Sequence, residues 1–517
     1  MHHHLVAAST VRPRRTSSML INPDAQPDLP TASEARTAST AVGLNLDDIQ
    51  GDILVGMKKD KELFFFFQIT DAAKFKSKLG TNIHGRITST TKLLDVATQP
   101  VTAVNIAFSQ SGLSALGMQD DLLDSNFKRG QLQDAGTLGD PGTGNWVQGF
   151  AGTGTHGVLI LASDTQSNID SELQSIKMAL GDSITEVHRL QGAQRPGNEK
   201  GREHFGYMDG ISQPAIEGFN AGPLPGQFVA KPGAILVGED GDSSSSRRPA
   251  WAKSGSFLAF RQLKQRVPEF NKFVADNALS VPGLTQQENI DLFGARTVGR
   301  WKSGAPIDLS PLRDDPALGA DPQRNNDFTF DHPDLGSAFD LQNNQTFCPF
   351  SAHIQKTRPR HSLSNPETSA FHIMRAGIPY GPEVTESEAT SQKTSDDPSL
   401  ERGLAFVSYQ SSLGSGFVFI QSSWVDNSFF PRGNVGVDPI IGSTNSGPPG
   451  DAQRTITGLD PLNFQKPIVI NEGELNSTLG DHSHSEADQW FLDFVVSRGG
   501  EYFFSPSISA LVSPLSQ

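Results

Sequence analysis

An α+β fold is the class this chain predicts, and three observations carry it. Apolar, strand-like runs recur with helical pieces between them. A polar stretch then interrupts the pattern, and the same strand–helix–strand plan restarts after it. The first 40 residues lie outside the plan. His2, His3 and His4 look like a tag remnant. Arg12, Arg14 and Arg15 are interspersed with Ser, Thr and Pro, so a disordered tail is expected over 1–40. Strands are then expected at 63–70, 102–109 and 157–163, with helices at 71–79 and 111–116. The break is Gly241-Asp242-Ser243-Ser244-Ser245-Ser246-Arg247-Arg248-Pro249, a loop by composition. Beyond it, 256–263 reads as a strand. Residues 268–279 read as a helix opened by Pro268, with Phe270, Phe273 and Val274 on one stripe. Residues 404–410, 417–421 and 491–497 read as further strands. The domains expected from this plan are 41–240 and 241–517. The two halves share a sketch but no residue-level repeat.

Composition excludes several functions. The net charge is −15 over 517 residues. Nucleic-acid phosphates need a basic surface, so a nucleic-acid partner is not expected. Cys348 is the single cysteine, which removes a disulfide framework and cysteine-rich zinc or iron–sulfur sites. No apolar run approaches the roughly 18 residues of a membrane helix. Leu5-Val6-Ala7-Ala8 is short for the apolar core of a signal peptide. The acceptors Asn344-Gln345-Thr346 and Asn476-Ser477-Thr478 nevertheless permit secretion. Gly152-Thr153-Gly154-Thr155-His156-Gly157 fits a dinucleotide fingerprint, but strand-like Val158-Leu159-Ile160-Leu161 follows where a helix is required. Nothing in these patterns sets an oligomeric state.

Three motifs carry chemistry. Gly206-Tyr207-Met208-Asp209-Gly210 is a turn that holds one carboxylate between two glycines, where backbone can approach a flat ligand closely. Read alone, Asp209 also suits a turn aspartate bonded to its own backbone. Cys348-Pro349-Phe350-Ser351-Ala352-His353 ends an apolar run on an imidazole; read alone, a buried hydrogen-bonded histidine fits too. His482 and His484 form only a two-imidazole loop, which suits solvent better than metal. Ile373-Met374-Arg375-Ala376-Gly377-Ile378-Pro379-Tyr380 offers a guanidinium among apolar neighbours. An imidazole for iron, a carboxylate to move a proton and an arginine to steady negative charge are the parts for splitting a peroxide on haem.

In order along the chain, these motifs resemble the dye-decolourising peroxidases, most closely the secreted fungal type. The likeness begins at Asp47-Asp48-Ile49-Gln50-Gly51-Asp52-Ile53. It continues through Arg300-Trp301-Lys302-Ser303-Gly304 and Val437-Asp438-Pro439-Ile440-Ile441-Gly442, and ends at Gly499-Gly500-Glu501-Tyr502-Phe503-Phe504. It covers nearly everything after residue 41. It implies two ferredoxin-like domains, with antiparallel sheets, surrounding helices and a haem b cavity mainly in the second. By the resemblance, His353 is the proximal ligand of the haem iron, Asp438 its acidic partner, Asp209 the distal acid–base group and Arg375 the distal cation. Alone, Asp438 also suits a turn ahead of Pro439.

The resemblance assigns Leu404 and Phe406 to the apolar distal pocket; both also suit a core strand. Haem propionates want cations, for which Arg296, Arg300, Arg358 and Arg360 are the candidates. Similar sequences carry a cation two residues after the ligand, where this chain has Gln355. Bulky dyes cannot enter a cavity shaped for peroxide. Trp424 and Tyr380 match the surface aromatics that similar enzymes use as radical sites. The implied activity is oxidation of dyes and phenolic or lignin-like aromatics by hydrogen peroxide, outside the cell. The alternatives are haem storage or delivery on the same scaffold, or a haem enzyme acting on another small oxidant.

Overall fold

The computed structural model describes residues 28–56, 59–140, 142–152, 154–340, 342–363, 369–443, 454–470 and 493–517. The tail to residue 27, the Asn476 acceptor, the His482 and His484 pair and the first two residues of the expected strand 491–497 lie outside them.

Nine strands form one antiparallel sheet: β1 (Lys61–Ile69), β2 (Ala103–Phe108), β3 (Gly157–Ser163), β4 (Ile184–Ala193), β5 (Ser256–Gln265), β6 (Met374–Arg375), β7 (Ile378–Tyr380), β8 (Gly403–Gln410) and β9 (Val495–Ser505). The order is β5-β9-β2-β3-β1-β4-β7-β8-β6, and β5 also pairs with β8, which closes the sheet on itself. The ring has two seams. Between β9 and β2 only Phe504 faces Phe108, and between β4 and β7 only Gly192 faces Tyr380. Between the seams lie two ladders, the four strands β2-β3-β1-β4, and β9-β5-β8 with the short β6 and β7 together filling the fourth place beside β8. Each has the strand order of a ferredoxin-like unit. Closure removes the open edges that separate sheets would present.

β1 shows why the sequence folds this way. Phe64 to Phe67 are all 1% exposed or less. Side chains alternate along a strand, so Phe65 and Phe67 enter one core with α4 (Gln166–Leu180), while Phe64 and Phe66 enter the core on the other face. Each buried ring contributes roughly 2–3 kcal/mol. β3 replaces the helix that a dinucleotide fingerprint needs after Gly157.

Two expectations are corrected here. Residues 28–40 are not part of a disordered tail: Ala32–Val42 is a helix, α1. A capping box between Thr31 and Glu34 starts it, Gly43 at φ +76° ends it, and Ala35 is fully buried. Residues 417–421 are not a strand. They form Phe417–Phe419 and the wide turn Ile420–Val425. The buried side chains there are Phe417, Val418, Ile420, Trp424 and Val425, and the spacing of three and four among Phe417, Ile420 and Trp424 is that of a helical stripe. The apolar run concealed that period.

Two helices place the site in the second half. α5 (Val267–Asp276) follows β5, with Pro268 in its first turn. α6 (Gln286–Val298) ends at Gly299, φ +96°. A Cβ on Gly299 would stand 2.3 Å from Cγ1 of Ile354, so the glycine admits the helix that carries His353.

Candidate functional site

His353 is the first residue of a short helix, α7 (His353–Thr357). Its Nδ1 lies 2.7 Å from Oδ2 of Asp438. A carboxylate only accepts, so Nδ1 carries the proton and Nε2 keeps the free lone pair. Asp438 is fully buried, and its other oxygen accepts the N–H groups of Ile440 and Ile441 at 2.8 and 3.1 Å. It is at once a turn residue and the partner of the imidazole. Burial disfavours a charged His353, but the charge and hydrogen bond of Asp438 outweigh this and raise its pKa. The His353 side chain is 31% exposed while Ala352 beside it is fully buried, so part of the ring is left unpacked by protein.

Asp209 and Arg375 form the opposing pair. Nη1 of Arg375 donates to Oδ1 of Asp209 at 2.5 Å, and the same oxygen accepts the Gly210 N–H at 2.6 Å. Both flanking glycines have positive φ, +95° at Gly206 and +85° at Gly210, as the turn requires. Burial pushes the Asp209 carboxyl up. The Arg375 charge and hydrogen bond, with the Gly210 N–H and the His353 charge, more than offset it and hold the group below the ordinary carboxylate value. His353 and Asp209 act on each other electrostatically, and Arg375 acts on both. Residues 144 and 166 positions from Asp209 in sequence thus lie close enough to act on it.

β8 supplies a wall. Leu404 and Phe406 are half-buried and alternate with fully buried Ala405 and Val407. Ser408, on the same face as Leu404 and Phe406, is paired with Arg375. The apolar side chains and the guanidinium therefore leave one side of the sheet.

The four candidate arginines divide. Arg296 is fully buried and spends all five donors on backbone carbonyls: Leu459, Thr346, Phe347, Gln345 and Gly458. It is corrected from a propionate partner to a pin between loops, because no N–H remains to offer. Arg296→Met is expected to strand buried carbonyls and cost more than about 3 kcal/mol. The check is a lowered denaturant midpoint without altered haem affinity in the folded fraction.

Arg300, Arg358 and Arg360 are different. Among the described residues, none has a carboxylate as a hydrogen-bond partner. Arg300 and Arg360 share Oδ1 of Asn326, at 3.2 and 2.5 Å. Nη1 of Arg358 is buried without a partner, and its guanidinium lies 5.3 Å from the Phe228 ring centre. Burial, then the Arg375 charge, lowers Arg300 to about 9. Burial, then Arg300 and Arg358, lowers Arg360 to about 9. Burial lowers Arg358 to about 10. Three crowded cations with no carboxylate in hydrogen-bond contact suit a dianion such as the propionate edge of haem. With an open Nε2 on His353 and an apolar wall at Leu404 and Phe406, the donor set fits that group. Gln355 is 1% exposed and gives Nε2 to the Ser362 hydroxyl at 2.9 Å.

The radical candidates are not surface residues, which corrects that part of the expectation. Trp424 is 3% and Tyr380 5% exposed. Trp424 stacks on Phe430 at 5.1 Å and meets Phe371 and Phe419 edge-on. Tyr380 sits on β7, and its hydroxyl donates to Oε1 of Glu401 at 3.0 Å. Large rings beside apolar neighbours gain more from burial than from solvent.

Sequence reading missed the supports. Gln213 exchanges two hydrogen bonds with the backbone of Arg375, at 2.5 and 3.1 Å. Its place four residues after Asp209 was the available signal. Glu203 accepts the N–H groups of Phe205 and Tyr207 at 2.8 and 2.9 Å, which braces the Asp209 turn. Asn326 lies in a polar run with nothing to mark it.

Comparison with known proteins gives matches along most of the chain. Residues 48–196 match the model of the DyP dimeric alpha+beta barrel domain, and 238–429 that of the Dyp-type peroxidase C-terminal domain. Peroxidase 2 of Mycetinis scorodonius is 59% identical over 98% of this chain and 95% of its own length. A dye-decolorizing peroxidase of Auricularia auricula-judae is 51% identical over 97% of this chain and 92% of its own length. The crystal structure of that Auricularia peroxidase with imidazole superposes at TM-score 0.82 and 51% identity, covering 92% of this chain and all of its own. A second structure with the same score and identity is of a dye-decolorizing peroxidase whose haem pocket was engineered for asymmetric sulfoxidation.

Proposed function

We propose, for a chain that belongs to the dye-decolourising peroxidase family, how its own residues perform a peroxidase reaction. The observation that carries the reading is the Asp209–Arg375 pair, electrostatically coupled across a cavity to the His353–Asp438 pair. His353 would hold haem b through Nε2, with Arg300, Arg358 and Arg360 on its propionates; when bound, the haem supplies a two-electron redox centre. Asp438 fixes the tautomer of His353 and raises its basicity. Asp209 takes a proton from one oxygen of hydrogen peroxide and gives it to the departing oxygen. Its Oδ1 holds Arg375 and the Gly210 N–H, so Oδ2 is the oxygen for the proton. Arg375 stabilises the negative charge that develops as the oxygens part. Gln213 and the Ser212 carbonyl, 3.3 Å from Nη2, keep the guanidinium in place.

The reducing substrates are dyes and phenolic or lignin-like aromatics, each giving one electron. The apolar wall at Leu404 and Phe406 bars large ones from the cavity. Trp424 and Tyr380 then act one layer beneath the surface, passing single electrons inward. Phe429, the chain neighbour of Phe430 in the Trp424 cluster, is 69% exposed. Action outside the cell belongs to the same proposal and is supported by the acidic balance and the Asn344 acceptor. Among the described residues, no helix is long and apolar enough to cross a membrane.

Stopped-flow mixing of haem-loaded protein with peroxide tests the reading. A rapid change of the haem absorption is expected; an unchanged spectrum would indicate a haem carrier. A further test concerns Trp424. Its burial makes phenylalanine a better replacement than serine, since a ring still fills the cluster. Trp424→Phe is expected to slow a large anthraquinone dye at least about tenfold, to slow small phenols less, and to leave the peroxide step unchanged. Steady-state kinetics on one large and one small substrate decide. Equal loss on both would assign Trp424 to the fold.

A further inference from the structure

Among the described residues, Trp251 differs from the other tryptophans in how its indole N–H is placed. Nε1 of Trp146 is buried without a partner. Trp301 gives its N–H to the Ser310 carbonyl at 2.8 Å. Trp424 is enclosed by phenylalanines. Trp251 is half-buried, and its Nε1–H donates to Oδ2 of Asp120 at 2.9 Å in an exposed setting. A carboxylate on the indole N–H makes electron loss from the ring easier. It offsets the positive charge and stands ready to accept the proton.

Behind Trp251, aromatic rings lead back to the cavity wall. Trp251 meets Phe504 edge-on at 5.7 Å. Phe504 and Tyr502 lie two apart on β9, hence on one face and about 7 Å apart. Tyr502 meets Phe417 at 6.4 Å, and Phe417 meets Phe406 at 5.5 Å. Phe406 stands on the cavity face of β8, the face shared with Leu404 and Arg375. Tyr502, fully buried, is the oxidisable ring within this path and divides it into two shorter spans.

We propose that Trp251 is a second oxidation site for bulky aromatic substrates, connected to the cavity through Phe504, Tyr502, Phe417 and Phe406. The proposal rests on the peroxidase reading above. One hydrogen peroxide removes two electrons from the haem-loaded protein and leaves as two waters. Each electron is replaced in turn from Trp251, whose indole loses one electron while its Nε1 proton passes to Asp120. A phenolic dye docked on the exposed edge then gives one electron to the ring, and Asp120 returns the proton to Nε1. The dye's own proton enters solvent and balances a proton consumed in forming water. Two dye molecules each end as a one-electron-oxidised radical.

The test is radical mapping in the haem-loaded protein. Wild type, Trp251→Phe, Trp424→Phe and Tyr502→Phe are mixed with peroxide and a nitroso spin trap without reductant, then digested for peptide mass spectrometry. A trap adduct on the Trp251 peptide is expected in wild type and in Trp424→Phe. It should be absent in Trp251→Phe and at least tenfold weaker in Tyr502→Phe, whose ring still fills its place. No adduct at Trp251 in a wild type whose haem absorption responds to peroxide overturns the proposal alone. Full adduct yield in Tyr502→Phe overturns the route. A haem absorption that never responds overturns the peroxidase reading, and this proposal with it.

Discussion

His353→Ala is expected to yield a folded protein that carries little or no haem. The reason is the arrangement around the ring. Asp438 holds Nδ1 at 2.7 Å, which leaves Nε2 as the one imidazole lone pair turned to the cavity. Asp438 keeps its bonds to the Ile440 and Ile441 N–H groups in the variant, so the local turn survives. Apolar walls and three arginines alone give haem contacts without an iron ligand. Titration of apoprotein with haem, read as absorbance per protein, measures the effect. Full occupancy with an unaltered spectrum would remove His353 from the ligand role. Asp438→Asn should act more mildly, weakening haem affinity by the roughly 10–100-fold typical of a partner that orients a ligand.

Asp209→Asn is expected to keep haem and to slow the peroxide step by roughly 10²–10⁴-fold, the contribution of a positioned acid–base group. The amide matches the carboxylate in size, and Gln213 holds the Arg375 backbone independently, so Arg375 remains near its place. Stopped-flow rates of the haem absorbance change give the measurement. The pH profile adds a sign. The Asp209 carboxyl is held below its ordinary value, mainly by Arg375 working against burial. The proton-accepting form therefore persists into acid, and the rate should fall only as pH drops through that depressed value, beneath the ordinary carboxylate range. An imidazole in the same role would fail below about 6.5. In Asp209→Asn the acid limb should disappear along with the rate. A near-normal rate at the optimum would assign the proton work elsewhere, chiefly to Arg375.

The strands of the first half were legible because their apolar runs are bounded by polar or turn residues: β3 spans 157–163 as read, and β1 and β2 differ by a residue or two at their ends. Residues 417–421 were not, because the four apolar and aromatic positions 417–420 in a row carry either period until burial selects one. Helix α1 was hidden for another reason. Its signal is the Thr31–Glu34 capping box, a pattern too short to stand out beside a charged tail.

For the site, residue chemistry in sequence nominated His353, Asp209, Arg375 and Asp438, because a ligand, an acid–base group, a cation and an anchor each need one residue type in a particular local frame. Local frames say nothing about which donors are already used. Arg296 and Arg300 lie four residues apart with the same side chain. Only the packing of loops 345–347 and 458–459 around Arg296 consumes its five N–H groups, while Arg300 is left among cations. Exposure was equally out of reach. Trp424 and Tyr380 are buried because rings and strands from distant segments close over them, and Trp251 gains its carboxylate from Asp120, 131 positions away. The sequence by itself determined the class of fold, the family and the parts of the chemistry, since these reside in residue type and local order. The tertiary structure decided the two seams that close the sheet, which arginine spends every N–H on backbone carbonyls and which tryptophan meets solvent, because each depends on contacts between segments far apart in the chain.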